Sequence, residues 1–285
     1  MWDATWSFVN MITLFEKNLK EVYSRMNMIE HNWTKGTLNE VKFIKEYGKN
    51  NSILDLGCGY GRHAIALAQS GTSVTAVDFS QEIISEAKKT ACENLSEISK
   101  CNFVCHDARE YYDGKAYDKV ICLFDVIGSF PDDKDNLKII EAAYRNLKIN
   151  GIFILSVMNM ELTETLVYDT NKGNLQKNPN IIRRLPPSYI MQSNGDIFKS
   201  KFLALDTETG LVYRKERFSY GDRISYEFII RDKRYKMDEI RSILQSHGFE
   251  TIIERYVRAG HFDEPLSNTD KYAKEICIVA RKVNK

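Results

Sequence analysis

The first repeating pattern along the chain is an apolar stripe within residues 5–28. Hydrophobic residues recur there at alternating spacings of four and three, at Phe8, Ile12, Phe15, Leu19, Val22 and Met26. This period matches one face of an α-helix. We expect the helix to pack on the main domain, with a cap over a substrate pocket or a dimer seam as alternatives. A second helix is predicted over 38–48, where Thr37 and Glu40 have the spacing of a capping box.

Further along the chain, short apolar runs alternate with amphipathic segments. A first run leads into Asp55, and four more predict strands at 74–78, 102–105, 117–124 and 152–157. The segments between them predict helices, including 81–94 and 132–147. The fourth run is almost continuously apolar, which is typical of a strand buried on both faces. This alternation indicates an α/β fold with a parallel sheet and helices on its faces.

The C-terminal half does not continue the alternation of strands and helices. A helix is predicted over 237–247, with Gly248 ending it, followed by strands over 249–258 and 275–281. Before this tail, three β-like runs are separated by turn residues, at 197–205, 211–218 and 224–231. We interpret these runs as an antiparallel meander that lies over the tips of the main sheet.

Composition narrows the possible environments and partners. The formal net charge is +1, so the chain has no overall electrostatic footprint for nucleic acid. No stretch approaches ~18 apolar residues, so no membrane span is expected. The first residues lack the basic start and apolar core of a signal peptide, and a cytoplasmic location is expected.

The cysteines give little support for a metal site. Six are present and none forms a C-x-x-C pair, so reduced thiols in the core are expected. Cys101, Cys105 and His106 leave a zinc site open as an alternative, but nothing supplies a matching second pair of ligands. We therefore predict no metal.

A glycine-rich turn is the strongest chemical signal. Residues 53–63 read Ile-Leu-Asp-Leu-Gly-Cys-Gly-Tyr-Gly-Arg-His, in which Asp55 precedes Gly57, Gly59 and Gly61. A dinucleotide fingerprint would need its third glycine at Arg62, which disfavours a nicotinamide enzyme. The pattern Asp-x-Gly-x-Gly-x-Gly instead resembles motif I of the class I S-adenosylmethionine-dependent methyltransferases.

The resemblance implies S-adenosylmethionine as the cofactor and gives several residues a role. Asp78 stands 21 residues after Gly57, at the end of the second strand, where an acid suits the two ribose hydroxyls. Asp107 corresponds to the residue that accepts a hydrogen bond from the adenine amino group in this family. The backbone N–H of the next residue, Ala108, is then expected to donate to an adenine ring nitrogen. The remaining residues in the expected cofactor site are Phe79 against the adenine, Cys58 in the turn, Leu123 and Phe124 after the fourth strand, and Trp33 near the methionine end. Trp33 could equally serve only to anchor its own loop.

The same resemblance implies a domain plan. It predicts a Rossmann-like seven-stranded sheet whose last strand is antiparallel, with helices on both faces. The core comprises 49–159 and 237–285, and 1–48 form an N-terminal helical cap. Residues 160–236 form a β-rich insertion that acts as a substrate lid. A meander in this position is similar to that of small-molecule methyltransferases, including amino-sugar N-methyltransferases.

For the methyl acceptor, the sequence predicts a chemical class and not a specific compound. The segment after strand four, Phe124-Asp125-Val126-Ile127, lacks the Pro-Pro and Pro-Cys motifs of DNA methyltransferases. We predict a small-molecule acceptor methylated on N or O, and a monomer or homodimer. Alternatives are an RNA or protein methyltransferase that docks on basic runs in the insertion, or a non-catalytic S-adenosylmethionine-binding protein.

Two residues are candidates for catalysis. Asp125 follows the fourth strand and could orient the acceptor or take its proton, although it could equally cap the turn. His261 lies near the end of the 249–258 region and titrates in the range that suits a base. Its plainer alternative is a histidine in a surface loop.

Overall fold

The computed structural model describes residues 35–130, 132–168, 203–206, 210–220 and 223–284. The predicted helix at 5–28 and Trp33 therefore lie outside the described residues. The first part of the chain forms α1 (Thr37–Glu46), β1 (Ser52–Leu56), α2 (Arg62–Gln69), β2 (Ser73–Asp78), α3 (Gln81–Asn94), a short 3₁₀ helix (Ile98–Lys100), β3 (Cys101–Cys105) and β4 (Tyr117–Cys122). The remainder forms α4 (Asp133–Asn146), β5 (Leu147–Met158), α5 (Met160–Tyr168), β6 (Leu203–Asp206), β7 (Leu211–Tyr220), β8 (Arg223–Lys233), α6 (Met237–Ser246), β9 (Phe249–Arg258), β10 (His261–Leu266) and β11 (Glu275–Lys282).

The main sheet has the order β10-β9-β11-β5-β4-β1-β2-β3. Strands β1 to β5 pair in parallel, and β11 is antiparallel to both β5 and β9. The expected α/β sheet with an antiparallel last strand is confirmed. Because the carboxyl ends of β1 to β5 share one edge, the turns that follow them meet there.

The predicted number of strands was wrong, because this sheet has eight strands instead of seven. The additional strand is β10, which pairs antiparallel with β9 at the edge. Gly260 adopts a φ of 82° and allows the chain to reverse between the two strands. His261, which the sequence analysis placed near the end of the 249–258 region with a surface loop as the alternative, is the first residue of this edge strand.

Two apolar cores cover the two faces of the sheet, as expected from the alternating pattern. One core contains residues of α1, α2 and α3, such as Ile44, Leu67 and Ala87. The other contains residues of α4 and α6, such as Ile139 and Ile240. Burial of these side chains removes apolar surface from water and holds the strand tips in fixed relative positions.

The predicted helix at 38–48 is present as α1, but its capping box is not formed. Thr37 is the first helical residue and Gly36 occupies the N-cap, and within the described residues no side chain hydrogen-bonds to that end of the helix. Glu40 is fully buried and directs its carboxylate toward α2 and the β9–β10 turn instead. Tertiary contacts therefore override the local capping signal.

The insertion contains a three-stranded antiparallel sheet in the order β6-β7-β8, which confirms the predicted meander. Residues 197–202 of the first predicted run lie outside the described residues. Its last strand is tied to the turn after β4, because the Lys233 N–H donates to the Gly128 carbonyl at 2.8 Å. Immediately afterwards, Asn159 and Tyr235 form a β-bridge. Whether the meander acts as a substrate lid stays a prediction.

Two other features are absent from the described residues. None of the helices there is long and apolar enough to cross a membrane. In the same part of the chain, no three His, Cys, Asp or Glu side chains are arranged to hold a metal ion. Cys101 is buried and Cys105 is exposed, at opposite ends of β3.

Candidate cofactor and acceptor site

The glycine turn between β1 and α2 is fastened to the neighbouring strand β2. The N–H groups of Gly57 and Cys58 both donate to the Val77 carbonyl, at 2.8 and 2.9 Å. Within the turn, the Gly61 N–H donates to the Cys58 carbonyl at 3.0 Å. The Cys58 side chain points into the apolar core, so only its backbone belongs to the turn surface.

The three glycines serve different purposes, although all have φ between 53° and 76°. A Cβ on Gly57 would overlap the Val126 side chain, and one on Gly61 would stand 2.5 Å from the Phe103 ring. These two glycines permit close packing. A Cβ on Gly59 would meet no atom within 4 Å. Gly59 therefore presents bare backbone to open space, which is the surface that an approaching ligand needs.

Asp78, at the end of β2, is hydrogen-bonded to the glycine turn. Its Oδ2 accepts from the Gly59 N–H at 3.0 Å, and its Oδ1 accepts from the Ser80 N–H at 3.1 Å. Burial raises the pKa of Asp78, and the hydrogen bonds from Ser80 and Gly59 oppose that rise. A carboxylate has about four acceptor positions, so both oxygens retain capacity for the hydroxyls of a diol.

Asp55 lies beneath the same turn. It is almost completely buried, and its Oδ2 has no hydrogen-bond partner among the described residues. Burial raises the pKa of Asp55 to about 7; the positive charge of Arg62 opposes this rise and the charge of Asp78 adds to it. A buried polar atom without a partner is costly. Such an atom, two residues before the first glycine of the turn, fits a site that a polar ligand completes.

Asp107 follows β3 at the same edge of the sheet and is half-buried. Its Oδ1 accepts from the Arg109 N–H at 2.9 Å, and its Oδ2 accepts from Arg109 Nη2 at 2.6 Å. The Arg109 hydrogen bonds lower the pKa of Asp107. The carboxylate is thus ionised and held in one orientation, suited to accepting from an amino group. Phe79 and Ala108 are half-buried beside the same strand ends.

The tip of β4 has an unusual backbone. Phe124 and Asp125 have φ of 62° and 63°, a region that costs non-glycine residues about 1–3 kcal/mol each. The Phe124 N–H donates to Ser156 Oγ of β5 at 2.8 Å, which holds the turn in place. The preceding residue, Leu123, is buried in the core. Strain of this kind is concentrated at functional sites.

The Phe124 ring is part of an aromatic and cationic stack. It is stacked with the His63 ring at 5.8 Å and with the Phe262 ring at 5.7 Å, between centroids. The Arg62 guanidinium carbon lies 4.5 Å from the Phe124 ring centroid. Phe124 therefore joins the glycine-turn helix to β10 and forms one wall of the site.

Sequence reasoning missed a buried ionic cluster behind that wall. The Glu40 carboxylate accepts from Arg62 Nη1, from His63 Nε2 at 2.8 Å and from the Gly260 N–H at 2.7 Å. Burial alone would raise the pKa of Glu40, but Arg62 and His63 outweigh it and lower the pKa to about 2. The cluster connects α1, α2 and the β9–β10 turn. Glu40 gave no signal in the sequence beyond its capping-box spacing.

Sequence reasoning also missed Glu275, the first residue of β11. Its side chain is buried, and its Oε2 has no hydrogen-bond partner in the described part of the chain. Burial raises the pKa of Glu275 well above its usual range, and the neighbouring charge of Asp125 raises it further. The role of Asp125 at the acceptor site stays a prediction.

His261 is partly exposed at the start of β10. Its Nδ1 lies 3.1 Å from Glu264 Oε1, and both side chains are partly or largely exposed. The next residue, Phe262, is the one whose ring reaches Phe124. The role of His261 as a base stays a prediction.

Comparisons with known proteins agree with this geometry. The model of a family described as "Methyltransferase domain" matches residues 53–151. The ubiquinone biosynthesis O-methyltransferase of Rickettsia akari is 31% identical over 160 residues, which cover 49% of this chain and 60% of that protein. The glycine/sarcosine N-methyltransferase of Parasynechococcus marenigrum is 26% identical over 81% of this chain and 73% of its own length.

A solved structure shows the same fold. The CcbJ methyltransferase of Streptomyces caelestis superimposes with a TM-score of 0.67 at 16% identity, covering 87% of this chain and 90% of its own. The chain spans only part of the Rickettsia relative's length, and the matched family model ends close to the start of β5. Together these matches confirm the predicted fold, and residues 53–151 are similar to the methyltransferase domain family.

Proposed function

We propose that the chain is an S-adenosylmethionine-dependent methyltransferase that acts on N or O of a small molecule in the cytoplasm. One observation carries the proposal: the Gly59 N–H, in a turn that faces open space, donates to the Asp78 carboxylate, so the turn and the carboxylate lie together. The relatives support it, because their names include both an O- and an N-methyltransferase.

The residues of the chain divide the task of holding the cofactor. Asp78 binds the ribose hydroxyls, and Asp107 accepts from the adenine amino group. Gly59 allows the cofactor to approach the backbone closely. Asp55, in the preceding strand, has a carboxylate oxygen without a hydrogen-bond partner among the described residues. Bound S-adenosylmethionine supplies an electrophilic methyl group on a positively charged sulfur. Since the leaving group is already activated, the protein contributes mainly position and exclusion of water.

The acceptor side lies at the tip of β4. The strained turn directs Asp125 to the edge of the sheet, where it can orient an acceptor or receive its proton. A small molecule is favoured over nucleic acid because the whole chain carries a net charge of only +1.

The proposal is tested by turnover. Purified protein is incubated with S-adenosylmethionine labelled in its methyl group and a mixture of small amines, alcohols and phenols, and label in a methylated product is measured. The proposal expects label in product with wild type and its loss in Asp78→Ala, with Glu93→Gln as an exposed acid control on α3. Labelled RNA or protein without any labelled small molecule would contradict it.

A further inference from the structure

One carboxylate holds together three segments behind the expected cofactor site. Glu40 on α1 is fully buried, and its Oε2 accepts hydrogen bonds from Arg62 Nη1 and from His63 Nε2, at 2.8 Å for the histidine. Its Oε1 accepts from the Gly260 N–H at 2.7 Å. Arg62 and His63 are the first two residues of α2, directly after the last glycine of the turn. The start of α2 and the β9–β10 turn are therefore both fixed by the same side chain.

The three donors favour a carboxylate over any neutral side chain at position 40. Burial disfavours its charge, but Arg62 and His63 outweigh burial and lower the pKa of Glu40 to about 2. The side chain is thus ionised at neutral pH and can only accept hydrogen bonds, so His63 Nε2 carries a proton. A glutamine side chain of the same shape would place its amide N–H₂ against at least one donor. It would also lack the charge that strengthens the contact with Arg62.

The segments that Glu40 holds also contact the Phe124 ring. The Arg62 guanidinium carbon lies 4.5 Å from the ring centroid, and the His63 ring is stacked with it at 11° between the planes. Phe262, two residues after Gly260, is stacked with the same ring at 27° between the planes. Glu40 is therefore connected to Phe124 through both of the segments that it fixes.

Phe124 begins a turn that packs against the glycine turn. Its φ of 62° is a conformation that non-glycine residues keep only when the surrounding structure imposes it. Two residues later, Val126 fills the space beside Gly57, because a Cβ on Gly57 would stand 2.4 Å from Val126 Cγ2. A displacement of Phe124 that moves this turn would therefore move the side chain that packs on the glycine turn.

We propose that Glu40 is a positioning residue of the cofactor site, which acts on Phe124 through Arg62, His63 and the β9–β10 turn. This inference rests on the proposed methyltransferase function and adds to it a residue that needs no contact with the ligand. Loss of the Glu40 charge then weakens cofactor binding even where the protein stays folded, and the weakening depends on the Phe124 ring.

A double-mutant cycle on S-adenosylhomocysteine affinity tests this connection. Calorimetric titration near neutral pH compares wild type, Glu40→Gln, Phe124→Leu and the double variant, after urea unfolding has shown that each is folded under those conditions. Glu40→Gln is expected to weaken binding by about tenfold alone, and by no more than about twofold in the Phe124→Leu background. Residues that acted independently would give the same fold-change in both backgrounds.

The matched control alters the other end of α1. Lys119 is buried in β4, and its Nζ donates to the Ile44 carbonyl and to Asn50 Oδ1, the latter at 2.5 Å. Lys119→Met removes these hydrogen bonds, which involve no residue of the Glu40 cluster. It is expected to lower stability and to leave S-adenosylhomocysteine affinity within about twofold of wild type. An equal loss of affinity in Lys119→Met and Glu40→Gln would overturn the positioning role, because both would act only through stability.

The outcomes separate the two proposals. Normal binding by wild type with unchanged affinity in Glu40→Gln, or with the same fold-change in both backgrounds, overturns the positioning role alone. If Glu40→Gln does not fold, Arg62→Lys replaces it in the cycle, because lysine keeps a positive charge for Glu40 but lacks the planar guanidinium over Phe124. Its expected loss of about threefold or more should likewise vanish in the Phe124→Leu background, and an equal loss in both backgrounds overturns the proposal. Absence of S-adenosylhomocysteine binding by wild type defeats both proposals.

Discussion

The Asp78 carboxylate accepts a hydrogen bond from the Gly59 backbone N–H at 3.0 Å. This contact connects the end of β2 to the centre of the glycine turn after β1. The two elements that are expected to touch ribose and methionine are therefore held in a fixed relation before any ligand arrives. Preorganisation of this kind lowers the entropic cost of binding.

Asp78→Asn is predicted to weaken S-adenosylhomocysteine binding by about tenfold or more. The asparagine keeps one acceptor oxygen, but it loses the charge that strengthens hydrogen bonds to the ribose hydroxyls and to Gly59. Isothermal titration calorimetry measures the change. The control Glu93→Gln, on the exposed side of α3, should bind like wild type, and equal affinity in both variants would contradict the assignment.

Gly59→Ala and Gly61→Ala are predicted to fail in different ways. Both residues have positive φ, so each alanine costs roughly 1–2 kcal/mol in backbone strain. At Gly61 the new methyl group also meets the Phe103 ring at 2.5 Å, whereas at Gly59 it meets nothing. Urea unfolding should therefore show the larger loss of stability for Gly61→Ala.

The Gly59→Ala and Gly61→Ala variants also distinguish a glycine needed for packing from one needed for ligand binding. Gly59→Ala should stay folded and yet bind S-adenosylhomocysteine more weakly, because its methyl group occupies the surface against which the ligand lies. If Gly59→Ala binds the ligand normally, the turn does not approach the ligand as proposed.

Asp107 is predicted to recognise the adenine amino group. Wild type should prefer S-adenosylhomocysteine over S-inosylhomocysteine, which lacks that amino group, by about tenfold. In Asp107→Ala, the ratio of the affinities for the two ligands should fall toward one. Arg109→Met is the matched test of orientation, because it removes the side-chain donors that hold the carboxylate but leaves the carboxylate itself. A preference unchanged in Asp107→Ala would place the adenine elsewhere.

The stability conferred by Glu40 is predicted to depend on pH. Its pKa is lowered from 4.5 to about 2, so the folded state favours the ionised form. That contribution is fully present above about pH 5 and is lost as the pH falls through about 2. It amounts to roughly 3 kcal/mol, because each tenfold change in a proton-binding constant corresponds to about 1.4 kcal/mol.

Urea unfolding at a series of pH values measures whether the stability conferred by Glu40 is lost as the pH falls. As the pH falls from about 5, wild type should lose its stability advantage over Glu40→Gln. Glu46→Gln, which removes an exposed acid at the end of the same helix, should follow wild type throughout. A constant difference between wild type and Glu40→Gln would show that Glu40 is not ionised against Arg62 and His63.

Local signals were enough to predict the sheet and its glycine turn. Apolar runs of strand length, glycines at alternate positions and an acid 21 residues after Gly57 are all properties of short stretches. These signals placed Asp55, Asp78 and Asp107 at one edge of the sheet, where the structure also places them. The meander at β6 to β8 was likewise indicated by its turn residues.

The features that were missed depend on distant partners. Glu40 does not cap its own helix, and its contact with Gly260 spans 220 positions along the chain. Glu275 is distinctive because β11 runs antiparallel to β5 and places it, buried, beside Met158 at the end of β5. The eighth strand was missed because β10 lies at an edge and is half-exposed, so it lacks the apolar run of a central strand.

The most direct test is calorimetric titration of the purified protein with S-adenosylhomocysteine. The account predicts one site per chain with micromolar or tighter affinity, and a loss of at least about tenfold in Asp78→Asn. Absence of heat with wild type, or identical binding curves for wild type and Asp78→Asn, would contradict it.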